Sequence, residues 1–182
     1  MLAQLAHVLP SLLLLRAGPQ DLPATPLALQ WAALAYVLST VARLLLVNPA
    51  LAALAQAALS LGVLWVYVRL VLQSRNKPER FTQTLTALLM TGTVIGVLML
   101  GPLTALTPLL LQIAEGRDLQ ALEVPSLAAY AWLALSVWGL VLAGHIFRHA
   151  LDTGLGMGML IALGYELALI AAVSLLAIPM GR

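Results

Sequence analysis

Glu166 lies within the apolar stretch 153–178, which holds no other Asp, Glu, Lys or Arg. A carboxylate at the middle of a spanning helix costs about 2.5–3.5 kcal/mol on insertion scales, so the group needs a partner, water or a proton. Two chemistries fit it. It can be a protonatable group on a solute or proton path, or a neutral carboxylic acid hydrogen-bonded to neighbouring helices. Gly154, Gly158, Ala162 and Glu166 recur every four residues and so share one helix face, where small side chains admit a second helix. Glu166 is therefore expected to face protein, with no Lys or Arg at its depth. Ser39, Thr40, Ser60, Thr91, Thr93 and Ser136 fall near the middle of the other apolar stretches. With Glu166, Thr91 and Ser136 among them form the candidate intramembrane polar set, although such hydroxyls also bond their own helix carbonyls. His145 and His149, with Asp152 one turn on, are weak candidates for a metal site. Two imidazoles lack a complete ligand set, and no HExxH occurs. Neither a metal nor a cofactor is expected. With no paired acids and no nucleophile beside a base, the residues argue against catalysis.

The elements that must position these groups follow from composition. Of 182 residues, 62% are hydrophobic and 9% charged, against about 45–50% and about 25% in an ordinary soluble domain. That excludes a soluble enzyme, a disordered chain and a coiled coil. It leaves an all-α polytopic integral membrane protein, and the lipid bilayer is its first partner. The formal charge of +2 is too small for nucleic-acid binding. The absence of cysteine removes disulfides and thiolate chemistry.

At roughly 20 residues per crossing the chain holds five spans in a single membrane domain, 1–182. The apolar run Leu2 to Leu15 is too short to cross, and with Pro10 inside it residues 1–19 read as an interfacial or re-entrant helix. Thr25-Pro26 reads as a helix cap and first turn, opening a span at 26–47. Asn48-Pro49 turns the chain back into 50–73. The third apolar stretch, 82–113, exceeds one crossing. Gly101-Pro102 and Pro108 place a bend in it, with the crossing at 82–100. Spans 126–147 and 153–178 complete the set. Gly92 and Gly96 form a GxxxG, a helix-packing pattern shared with the Gly154, Gly158, Ala162 ridge.

Positive charge sets the orientation. Five spans put Arg16, Arg69, Arg75, Lys77, Arg80 and Arg148 on one side, and Arg43, Arg117 and Arg182 on the other. The N-terminus is thus expected in the cytoplasm, with the acidic loop Glu115, Asp118, Glu123 outside. Arg43, near the end of its span, is expected to snorkel to the headgroups.

The segment Phe81-Thr82-Gln83-Thr84-Leu85-Thr86-Ala87-Leu88 after a basic loop, and the block Trp138 to His149 before the last span, resemble the Yip-domain family of small polytopic membrane proteins. The resemblance covers about half of the chain, mainly its second half. It implies a membrane adaptor without catalytic residues; the long cytoplasmic tail of the trafficking members is missing, which points to a bacterial inner-membrane relative. The expected function is a noncatalytic subunit or scaffold that binds other membrane proteins or its own copies. The alternative is a small transport component using Glu166.

Overall fold

The computed structural model describes residues 2–117 and 123–177. Asp118, Ile178 and Arg182, which enter the expectations above, lie outside the described residues. Seven α-helices follow one another among the described residues: α1 (Leu2–Leu13), α2 (Pro26–Leu44), α3 (Ala50–Ser74), α4 (Phe81–Leu98), α5 (Leu100–Ala114), α6 (Ser126–Leu151) and α7 (Leu155–Ala177). There is no strand among the described residues. Five stretches, based on α2, α3, α4, α6 and α7, are long and apolar enough to cross a membrane. The chain is an all-α polytopic membrane protein.

Local chemistry sets the boundaries. Pro26 occupies the first turn of α2, and Thr25 Oγ1 accepts the Ala28 N–H at 3.3 Å, a side-chain cap for an otherwise unpaired donor. The helix stops at Leu44, earlier than the sequence suggests, because the chain tightens there into turns that carry it to Asn48-Pro49. The long third stretch is two helices broken at Met99. Pro102 explains the position: its ring blocks the carbonyl four residues back, on Leu98, and at the third position of α5 its missing N–H costs nothing. Helix α6 runs on to Leu151, where Asp152 adopts the left-handed conformation (φ 52°, ψ 52°) and ends it.

Helix α4 is the axis of the bundle. Half of its spanning window is buried, against 11–28% in the other four, and Thr84 to Leu89 are buried without interruption. Its hydroxyls can sit there because each bonds its own helix: Thr84 to the Arg80 carbonyl (2.8 Å), Thr86 to Thr82 (2.7 Å), Thr91 to Ala87 (2.9 Å) and Thr93 to Leu89 (2.7 Å). Helix α2 packs along α4, α6 lies against both α4 and α5, and α7 is held by α6 and α3. Helix α1, of 12 residues, would span only about 18 Å at 1.5 Å per residue. Its Leu12 is fully buried in the main core.

A charged cleft between the helices

Glycine decides which helices touch. A side chain at Gly92 would meet the Tyr36 ring at 3.2 Å, and one at Gly96 would meet Arg43 Nε at 3.1 Å and Ser39 Oγ at 3.3 Å. The GxxxG of α4 therefore receives the face of α2 carrying Tyr36, Ser39 and Arg43. The ridge on α7 divides. A Cβ at Gly158 would stand 2.2 Å from the Gly144 carbonyl oxygen, and Ala162 is 1% exposed, so both lie in the α6/α7 contact. Gly154 has nothing near it. Tyr67 of α3 completes the joint by donating to the Ile161 carbonyl at 2.7 Å, beside a glycine, Gly164, that leaves room for its hydroxyl.

Beyond Ala162, α7 and α6 are separated by a cleft of about 530 Å³, walled by all five spanning helices. Tyr36 and Arg43 come from α2, Leu64 from α3, Thr91, Gly92, Gly96 and Met99 from α4 and its end, Trp132 and Ser136 from α6, Tyr165 and Glu166 from α7. Thr91, Ser136 and Glu166 thus share one cavity. Ser60 does not join them; its hydroxyl donates to the Ala57 carbonyl. Ser136 likewise donates to Trp132 (2.9 Å), so the two cleft hydroxyls have spent their protons on their own helices. Tyr36 and Tyr165 both line the cleft.

Two expectations are corrected here. Glu166, exposed on the single chain, lines the cleft together with residues of the other four spanning helices. It stands on the rim of the cleft. It is not without a cation nearby, since Arg43 lines the same cleft. Arg43 does not snorkel away from the protein. Its Nη2 donates to Thr40 Oγ1 at 3.3 Å, its Nη1 lies 4.0 Å from Met99 Sδ, and its Nε is buried without a partner. Three ion pairs form among the described residues, and none joins Arg43 to Glu166.

The histidines serve the opposite pole. His145 is buried, with Nε2 3.0 Å from the Ala17 carbonyl; a carbonyl only accepts, so that nitrogen carries the proton and is closed to a metal. Its ring packs edge-on against His149 at 4.5 Å. Asp152 turns instead to Lys77 and Arg80, the latter at 2.9 Å. Arg80 also donates to the His149 and Ala150 carbonyls, both at 3.1 Å, and so satisfies the end of α6. Among the described residues no three His, Asp or Glu side chains converge as a metal site. Arg80, Gln83, His149 and Asp152 line a polar hollow of about 290 Å³ with Pro19 and Gln20. Gln83 fixes the 19–22 segment by donating to the Leu22 carbonyl at 2.8 Å.

The hydrogen bond from Arg80, reinforced by Lys77, holds the Asp152 carboxyl down to about 2. Its folded value is depressed, so its contribution is complete above the unfolded value of about 3.9 and is lost as pH falls through the folded one. Wild type is expected to melt higher than Asp152→Asn at pH 6, with the gap closing between pH 4 and 2. A gap unchanged across that window would contradict the assignment.

The sequence reading missed Tyr36, Tyr165, Tyr67, Gly144 and the inward Arg43. One signal was available: Tyr36, Ser39 and Arg43 follow helical spacing on the span that precedes the GxxxG by one hairpin. No family model, curated protein or solved structure matches the chain.

Proposed function

We propose that the chain is a noncatalytic subunit of a bacterial inner-membrane assembly, oriented with its N-terminus in the cytoplasm, that binds another membrane protein through α7. The observation that carries this is the exposed position of Glu166 at mid-helix. Around it Leu160, Leu163, Leu167 and Ile170 are also exposed, at 42–68%. An apolar face is at home in lipid, but a carboxyl at its edge is not, and a polar contact from a partner helix removes that cost. The adaptor role implied by the Yip-like block Trp138 to His149 agrees with this reading. Purification in mild detergent is expected to give a particle heavier than one chain, containing either a second copy or a partner. A monodisperse single chain, under conditions that preserve other membrane complexes, would refute it.

A second reading has its own support, because Arg43 and Glu166 face one cleft with opposite charges. On that reading the cleft is a stage of a transport path, and reconstituted vesicles show solute or proton flux that Glu166→Gln abolishes.

The orientation has an independent test. The chain has no cysteine, so labelling has no background. A cysteine at Asn76 is expected to resist an impermeant reagent in intact cells, and one at Glu115 to react; the reverse would invert the topology.

A further inference from the structure

We propose that the cleft binds an anionic amphiphile, with its carboxylate or phosphate head on Arg43 and a single hydrocarbon chain lying along Leu64, Leu88 and Leu140. The first support is the state of Arg43. A guanidinium carries five N–H donors matched to planar anions, yet here its hydrogen-bond acceptors are one hydroxyl and one thioether, and its buried Nε has none. No carboxylate lies within ion-pair distance. A cation so placed in an apolar wall calls for an anion.

The second support is depth. Arg43 is one residue from the end of α2, a 19-residue span whose length matches a bilayer core about 30 Å thick and so sets its ends near the headgroups, whereas the rest of the cleft's lining includes Leu64, Leu88 and Phe147. A charged head beside Arg43 therefore places its chain down the apolar part of the cleft. The third is size. At about 530 Å³ the cleft falls within the roughly 300–1,000 Å³ of small-molecule sites, which suits one chain with its head. The ligand would lie inside the bundle, behind the rim where Glu166 stands, so the proposal does not depend on a partner at α7.

Trp132 lines the cleft and reports on it. The test uses protein in an uncharged detergent and 9,10-dibromostearate, whose bromines quench indole fluorescence, with its methyl ester as the neutral control. Wild type is expected to be quenched by the acid at concentrations about tenfold or more below the ester, as a charge-assisted contact implies. Trp132→Phe should lose the saturable part of the signal. Arg43→Gln should bring the acid to the level of the ester, and Arg43→Lys should recover part of the difference. Glu166→Gln, the variant that bears on the transport reading, should bind the acid at least as tightly as wild type, since it removes a carboxyl from the cleft and leaves the Arg43 contact intact. Equal quenching of wild type by acid and ester overturns the proposal whether or not Arg43→Gln folds. So does saturable quenching that persists in Trp132→Phe, or displacement of the acid by inorganic phosphate at the same concentration, which would mark a site for free anions.

Discussion

Gly158→Ala is expected to loosen α7 from α6 and to cost about 2–3 kcal/mol, toward the upper end of overpacking penalties. The added carbon would lie 2.2 Å from the Gly144 carbonyl oxygen and 2.9 Å from the Arg148 nitrogen. Both are backbone atoms of a helix, and neither can swing aside. At about 2–4 °C per kcal/mol for a chain of this size, the melting midpoint in detergent should fall by roughly 4–12 °C. Gly144→Ala across the same contact should cost less. Its nearest obstacle is the flexible Met159 side chain at 2.7 Å, with Met159 backbone at 3.1 Å, and methionine adapts readily. Gly62→Ala and Gly156→Ala meet nothing within 4 Å; they should be neutral or up to about 1 kcal/mol more stable, from helix propensity alone. If Gly158→Ala melts with Gly156→Ala, the close approach of α6 and α7 is not what holds the bundle.

That contrast within one glycine-rich segment shows how far the sequence could be read. The all-helical class and five crossing helices were legible, because burial in lipid demands long apolar runs and little else resembles them. Of the four-residue ridge on α7, Gly158 and Ala162 lie in the α6/α7 contact. At Gly154 a side chain would meet nothing within 4 Å, because a period says which residues share a face, not how far along that face the neighbour stays in contact. Thr91, Ser136 and Glu166, which the sequence groups near the middle of their spans, line one cleft. Arg43 was misassigned for a related reason: a long side chain near a helix end has two exits, water and protein. The choice was made by Gly96, whose missing side chain opens the inward one. The pin formed by Lys77, Arg80 and Asp152 joins two loops distant in sequence, and only the side on which five spans place them hinted that they could meet.

Replacing Glu166 should move monomer stability and assembly in opposite directions. Glu166→Leu removes a carboxyl that is exposed at mid-helix, and with it an insertion cost of about 2.5–3.5 kcal/mol. The isolated chain should therefore melt higher than wild type. The same change deletes the polar contact offered to a partner helix. Contacts of that kind are worth about 1–2 kcal/mol in model peptides, so association should weaken by roughly five- to thirtyfold. Glu166→Gln keeps the shape and a hydrogen-bonding amide while discarding the titratable proton. It should assemble like wild type if α7 is a docking face. If the cleft is instead a transport path, the Gln chain should assemble normally and lose flux, because an amide cannot pass a proton or balance a charge. Sedimentation in detergent gives the association constants, and flux in vesicles made from the same preparations separates the two roles. A Leu variant that is more stable and assembles as tightly as wild type would leave Glu166 without a partner to recognise, and the docking face would have to be sought elsewhere on the bundle.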